Sequence, residues 1–183
     1  MRVPRTFVFV DISGFTNFTN ENGDDAAGRL LASWRAVTRD VASETGVRIA
    51  KWLGDGCMIV AVDQRDAVTF SLELQKRSAT ACAPLSIRIG MASGLALLFE
   101  GDDYIGTAVN MAARLCDAAE PYEVIIPTEQ VENLPEGVIT TPHVALTLRG
   151  LNEAIPVVTL TGEASNAARN DTGELWTRSP FVV

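Results

Sequence analysis

The hydrophobic positions in the first part of the chain follow two different periods. Residues 6–10 form a β-branched, apolar run that ends at Asp11, the pattern of a buried strand that delivers a polar group at its end. Residues 13–20 predict a short helix or a turn. Over residues 24–44 apolar side chains recur every three or four positions, which predicts an amphipathic helix with Asp24 as its N-cap and Gly46 as its stop.

The next apolar segments predict a hairpin, followed by alternating helices and strands. Residues 47–53 and 57–62 flank Gly54-Asp55-Gly56, the composition of a tight Asp-Gly turn, so Asp55 is expected at a hairpin tip. The remaining predicted elements are a helix at 65–81, a strand at 86–99, its partner beginning within 101–105, a helix at 109–118, a short strand at 124–127, and closing strands within 138–149 and 155–160.

These elements predict the fold class and one domain boundary. Strands and helices are mixed without strict βαβ repetition, which predicts an α/β fold of the α+β sandwich type, with a largely antiparallel sheet and flanking helices. Residues 1–161 form the predicted domain. Residues 162–183 are mostly small and polar, so we expect a C-terminal tail that is either flexible or packed on a neighbour.

Composition is compatible with an ordinary globular domain. The 183 residues suit one domain, and 47% hydrophobic with 21% charged residues is typical of soluble proteins. The chain has neither a long apolar run nor a signal-peptide pattern at its start, so we expect a cytoplasmic location and no membrane segment. Cys57, Cys82 and Cys116 are widely spaced and predict free core thiols rather than disulfides or a zinc site.

Charge and motif content exclude several kinds of chemistry. The net charge of −8 repels nucleic acid and also a free triphosphate, so phosphate chemistry here would need metal ions. His143 is the single histidine, which excludes an HExxH zinc site and disfavours a Ser-His-Asp triad. Neither GxSxG nor GxxxxGK[ST] occurs in the chain.

Two carboxylates at predicted turn positions are the remaining candidates for chemistry. Asp11 and Asp55 each adjoin a strand whose partner could lie alongside, and two such carboxylates can share divalent cations. A structural role is the alternative, since an aspartate after a strand is commonly a turn former or a helix cap. The residue types alone leave both roles open.

Three segments, in this order along the chain, resemble motifs of the class III nucleotidyl cyclases: FVFVDISGFT, KWLGDGCMIV and GDDYIGTAVNMAARL. A weaker fourth match is LTLRGLNEAIPVVTL, so the resemblance covers residues 5–160. It implies a ferredoxin-like core and an adenylate cyclase that converts ATP to 3′,5′-cyclic AMP and pyrophosphate. It also implies two Mg²⁺ or Mn²⁺ ions per active site and a homodimer with shared sites.

The resemblance also implies roles for the metal and base-binding residues. Asp11 and Asp55 match the two metal-binding aspartates, and the Ile12 carbonyl matches the backbone ligand beside the first. Lys51 and Asp103 match the base-recognition pair, in which the ammonium donates to adenine N1 and the carboxylate accepts from the 6-amino group. The spacing to the following helix favours Asp103. If the match to the family motif is shifted by one residue, the adjacent Asp102 takes this position instead.

The helix and two further basic positions complete the implied site. Asn110 and Arg114, at i and i+4, share one helix face; the family uses such a pair to fix the ribose and to bind charge developing on the phosphates. Arg88 and Arg149 resemble basic positions that reach the triphosphate. Each site would take its aspartates from one subunit and its base-recognition and helix residues from the other, so a monomer would have none.

Two other functions are compatible with the same motifs. A guanylate cyclase is disfavoured, because guanine presents the opposite pattern of donors and acceptors to Lys51 and Asp103. A non-catalytic nucleotide-binding dimerisation module would belong to a different class of protein. The intact metal and helix positions favour an enzyme over that module.

Overall fold

The computed structural model describes residues 1–100, 103–147 and 154–162. The strands and α-helices are, in chain order, β1 (Arg2–Ser13), α1 (Phe15–Asn22), α2 (Asp24–Thr45), β2 (Arg48–Leu53), β3 (Gly56–Ala61), α3 (Gln64–Ala81), β4 (Ser86–Phe99), β5 (Asp103–Ile105), α4 (Thr107–Ala118), β6 (Val124–Pro127), β7 (Val138–Pro142), β8 (Leu146–Thr147), β9 (Ala154–Ile155) and β10 (Val157–Gly162). A short 3₁₀ helix at Thr128–Gln130 lies between β6 and β7.

The first four strands form the central unit of the sheet. They lie in the order β2-β3-β1-β4 with antiparallel neighbours, while α1 and α2 connect β1 to β2 and α3 connects β3 to β4. This split βαβ arrangement is ferredoxin-like. Beyond β4 the sheet continues through β6, β10 and β7, and β5 pairs with the outer part of β4. The predicted α+β fold with a largely antiparallel sheet is therefore confirmed.

Alternation along the strands assigns the two faces of the sheet to different helices. One face of β1 packs with residues of α2 and α3 in the main core, whose members include Val8, Val10, Trp34, Phe70 and Leu74. The opposite face packs with α4 in a second cluster that includes Phe7, Met58, Ala92, Ala108 and Ala112. Successive strand residues point to opposite faces. Residues 9 and 11 therefore share the face that α4 covers.

Two glycines of β4 let α4 lie directly on the sheet. A Cβ atom at Gly90 would lie 2.1 Å from the backbone nitrogen of Cys116, and one at Gly94 would lie 2.9 Å from the Cβ of Ala108. Neither gap admits a methyl group, so the close approach of strand and helix requires glycine at both positions.

Several predicted boundaries need correction. Asp11 lies within β1 rather than after it, because β4 pairs with β1 as far as Ser13. Gly23 is the N-cap residue of α2, and Asp24 is the first helical residue. The segment 138–149 is not one strand: β7 ends at Pro142, which has no N–H for a ladder, and β8 pairs with β9 in a separate two-stranded sheet. Gly162 still belongs to β10, while the rest of the predicted tail lies outside the described residues.

The cysteines are buried free thiols, as predicted. Burial raises the pKa of Cys82 to about 12, and burial together with the charge of Asp11 raises the pKa of Cys116 to about 12. Burial also raises the pKa of Cys57. Among the described helices, none combines the length and the apolar character that crossing a membrane requires.

Candidate active site

The β1–β3 register brings the two candidate metal aspartates together. Asp11 lies opposite Gly56, the residue that follows Asp55 at the turn between β2 and β3. The backbone N–H of Ile12 donates to the carbonyl of Asp55 at 3.3 Å. A Cβ at Gly56 would lie 2.6 Å from the carbonyl oxygen of Val10 and 3.5 Å from Oδ1 of Asp11, so glycine is needed for the turn to pack this tightly on β1.

Asp11 is half-buried, and its charge is partly compensated by Arg88. Burial raises the pKa of the Asp11 carboxyl; the hydrogen bonds and charge of Arg88 lower it, and the charges of Asp55 and Asp117 raise it. The pKa of Asp11 consequently lies above its ordinary value. Repulsion by the Asp55 carboxylate thus adds to the effect of burial on Asp11.

Arg88 is the directly opposed cross-strand partner of Asp11. Its Nε and Nη2 donate to Oδ2 of Asp11 at 2.9 and 2.8 Å, and its Nη1 donates to the carbonyl of Asp117 at 3.0 Å. The sequence did not reveal this pair, because residue 11 directly follows a predicted strand, residue 88 lies on another, and the register between the two strands is not encoded locally. Contact between Arg88 and a triphosphate stays a prediction.

The donor set fits a hard divalent cation. Two adjacent carboxylates that repel each other favour a positive charge between them, and in this structure the guanidinium of Arg88 supplies one beside Asp11. Within residues 1–100, 103–147 and 154–162 no group of three or more acidic, histidine or cysteine side chains could hold an ion. A site with two carboxylates suits Mg²⁺, which commonly completes its shell with water and substrate phosphates.

The candidate base-recognition pair is joined by the fold. Nζ of Lys51 on β2 forms an ion pair with Oδ1 of Asp103 on β5, and both side chains are about half exposed. Tyr104, the next residue of β5, packs edge-on against Phe7 of β1 with ring centroids 5.3 Å apart. It also accepts a hydrogen bond from Arg48 of β2. These contacts connect β5 to β1 and β2, and Asp103 of the same short strand reaches Lys51.

Asn110 and Arg114 both lie on α4, which the glycines of β4 hold against the sheet. The side chain of Asn110 is exposed and that of Arg114 is half-buried. In the described part of the chain, neither side chain has a hydrogen-bond or ion-pair partner. Arg149, the remaining predicted residue, lies outside the described residues.

The fold, the paired aspartates and the Lys51–Asp103 pair together define a class III nucleotidyl cyclase catalytic domain. A model of the adenylate and guanylate cyclase catalytic domain matches residues 4–158, and the chain belongs to this family. The family resemblance seen in the sequence motifs is thus confirmed.

Similar proteins include bacterial chains, one of them named an adenylate cyclase and another an uncharacterised protein. The chain is 32% identical over 147 residues to an uncharacterised protein of Mycobacterium tuberculosis, covering 80% of this chain and 38% of that one. It is 31% identical over 126 residues to an adenylate cyclase of Streptomyces coelicolor, covering 69% of this chain and 33% of that one. The chain thus spans between a third and two fifths of these relatives.

Solved structures with the same fold include cyclases of both specificities. The adenylyl cyclase CyaB from P. aeruginosa superposes with a TM-score of 0.75 at 25% identity, over 88% of this chain and 95% of that chain. The guanylate cyclase domain of RhGC from Catenaria anguillulae, in complex with GTP, superposes with a TM-score of 0.77 at 20% identity, over 88% and 98% of the two chains. The fold alone therefore does not distinguish ATP from GTP as substrate.

Proposed function

We propose that this chain is an adenylate cyclase that converts ATP to 3′,5′-cyclic AMP and pyrophosphate as a homodimer. The observation that carries the choice of ATP is the ion pair between Lys51 and Asp103, because its donor and acceptor match the edge of adenine. The 31% identity to an adenylate cyclase of Streptomyces coelicolor supports the same choice.

The pair discriminates between purines through hydrogen-bond chemistry. The ammonium of Lys51 donates to adenine N1, which has no proton, and the carboxylate of Asp103 accepts from the 6-amino group. Guanine carries a proton at N1 and an acceptor at position 6, so both contacts would be mismatched. An unsatisfied buried polar group costs about 1–3 kcal/mol, which corresponds to a preference of about tenfold or more.

The acidic pair and the carbonyl of Ile12 would hold the catalytic cations. Bound Mg²⁺ or Mn²⁺ supplies acidification of the 3′-hydroxyl and binding of the phosphate oxygens. Asp11 on β1 and Asp55 in the β2–β3 turn would hold these cations, and the hydrogen bond from the Ile12 N–H to the Asp55 carbonyl joins the turn to β1. Arg88, which is paired with Asp11, would share its positive charge with an incoming triphosphate.

The residues of α4 act on the nucleotide itself. Asn110 fixes the ribose by hydrogen bonding, which orients the 3′-hydroxyl for in-line attack on the α-phosphate. Arg114 stabilises negative charge that develops on the α-phosphate and the leaving pyrophosphate. The lack of internal partners for both side chains in the described chain supports these roles.

An exposed apolar surface on the β4–β5 hairpin supports association with a second copy. The hairpin surface comprises Leu95, Leu98, Phe99 and Ile105, all large apolar side chains accessible to solvent. Such a surface favours burial against a partner. In the proposed homodimer, each site combines the aspartates of one protomer with Lys51, Asp103, Asn110 and Arg114 of the other.

Product identification with ATP and GTP in parallel tests this function. The protein is incubated with each nucleotide in Mn²⁺ or Mg²⁺, and the products are separated by chromatography while pyrophosphate is measured. We expect cyclic AMP and pyrophosphate in equal amounts from ATP, and at least about tenfold slower reaction of GTP. Predominant cyclic GMP would contradict the substrate, and nucleotide binding without pyrophosphate release would indicate the non-catalytic module.

A further inference from the structure

An arginine of α2 contacts the turn that carries Asp55. Nη2 of Arg35 donates to the carbonyl of Gly54 at 2.7 Å. The guanidinium also lies over the ring of Trp52 on β2, with its central carbon 4.8 Å from the ring centroid. Trp52 in turn packs edge-on against the buried Trp34 of α2, with ring centroids 5.8 Å apart. Arg35 thus joins the helix to both the strand and the turn.

The Gly54 carbonyl is part of the peptide group that precedes Asp55. The carbonyl of Asp55 belongs to the following peptide group, and it accepts from the N–H of Ile12 on β1. Peptide groups are planar, so the orientations of these two groups set the direction of the Cα–Cβ bond of Asp55. One group is held by α2 and the other by β1.

The turn needs such support because glycine makes its backbone conformationally flexible. Gly54 adopts a φ of +69°, and a Cβ at this position would meet nothing within 4 Å. Glycine reaches this conformation readily but also leaves it readily. A hydrogen bond from a charged donor is about twice as strong as one between neutral groups, so the contact with Arg35 restricts the peptide effectively.

We propose that Arg35 is a positioning residue for metal binding, which orients the Asp55 carboxylate by fixing the peptide that precedes it. The proposal rests on the metal role of Asp55 given under the proposed function. Arginine suits this task because its planar guanidinium can stack on an indole and donate in its own plane at the same time.

Arg39 provides a matched control on the same helix. Its guanidinium carbon lies 5.2 Å from the centroid of the same Trp52 ring, so it shares the stacking contact. The hydrogen bond to Gly54 comes from Arg35. Arg35→Met and Arg39→Met therefore remove similar charge and similar stacking, and they differ in the hydrogen bond to the turn.

The experiment measures Mn²⁺ binding to the full chain by electron paramagnetic resonance of the free ion, without nucleotide. Arg35→Met is expected to raise the dissociation constant for Mn²⁺ about tenfold, the lower end of the effect of removing a residue that orients a metal ligand. Arg39→Met should stay within about twofold of the parent, and Arg35→Lys, which keeps a donor, should recover part of the loss. Unfolding temperatures verify that each variant is folded.

A second readout separates positioning from a general loss of structure. In the cyclase assay, Arg35→Met should need about tenfold more Mn²⁺ for half-maximal activity, with a smaller change in kcat at saturating metal. Equal Mn²⁺ affinities of the Arg35 and Arg39 variants would overturn the positioning role alone. An unchanged Mn²⁺ affinity in Asp55→Asn would overturn the metal role of Asp55, and the positioning role with it.

Discussion

Substitution of Gly90 by alanine should disturb the candidate active site by displacing α4, the helix that carries Asn110 and Arg114. Gly90 lies on β4 beneath α4, where an added Cβ would stand 2.1 Å from the nitrogen of Cys116 and 2.6 Å from the Ala112 carbonyl oxygen. Both atoms belong to the helix backbone, which cannot avoid the clash by changing rotamer as a side chain can. The helix as a whole would have to move.

The size of that movement follows from the contact distances. Ordinary van der Waals contact begins near 3.4 Å, so the backbone of α4 must withdraw by more than about 1 Å. Overpacking of this kind costs about 1–3 kcal/mol of the free energy of unfolding. A shift of about 1 Å in catalytic groups can lower the rate about 100-fold. We therefore expect a folded but destabilised protein with strongly reduced kcat.

Urea unfolding followed by circular dichroism measures the stability, and pyrophosphate release measures the activity. Gly28→Ala is the matched control, because Gly28 is exposed on α2 and a Cβ there would meet nothing within 4 Å. This variant should gain about 0.5–1 kcal/mol, since alanine favours the helix over glycine. If Gly90→Ala retained the parent's stability and activity, the inferred contact between α4 and β4 would be wrong.

Three further predictions concern the metal pair, the base pair and the thiols. Asp11→Ala and Asp55→Ala should each abolish turnover in Mg²⁺ and in Mn²⁺ while circular dichroism shows an intact fold, and near-normal cyclisation by either would contradict the two-metal assignment. Lys51→Glu combined with Asp103→Cys should shift preference from ATP toward GTP by reversing donor and acceptor; an unchanged ratio of the two kcat/KM values would exclude this recognition role. At neutral pH the native protein should not react with a thiol reagent, because all three thiols are buried with raised pKa values. Unfolded protein should titrate all three, and rapid labelling of native protein would refute their burial.

Local patterns were sufficient to predict most helices and strands. The three-and-four spacing over residues 24–44 identified α2 because its buried residues repeat with the helical period. The turn at Gly54 and Asp55 lies between β2 and β3 as the composition predicted, and β4 has the predicted bounds of residues 86–99. The strands β8 and β9 were not predicted as separate elements, since two-residue strands are too short to show a period.

The site depended on long-range pairing that periodicity does not encode. The Asp11–Arg88 pair requires the register between β1 and β4, and the Lys51–Asp103 pair requires a side chain of β5 to reach β2. The individual roles were inferred from motif resemblance rather than from spacing. Arg35 has no sequence signal of its own, because its function depends on where α2 meets a turn formed later in the chain.

The claim that catalysis takes residues from two copies of the chain can be tested by complementation. Asp11→Ala protein and Arg114→Ala protein, each inactive alone, are mixed under conditions of demonstrated subunit exchange, and cyclic AMP formed from ATP is measured. In a mixed dimer one site collects both defects, while the other takes its aspartates from one variant and its arginine from the other and is complete. Random pairing makes about half of the dimers mixed, so activity should recover to about a quarter of the parent's. A site built within one chain could not be repaired by mixing, so an absence of recovery would contradict the shared site and the requirement for a dimer.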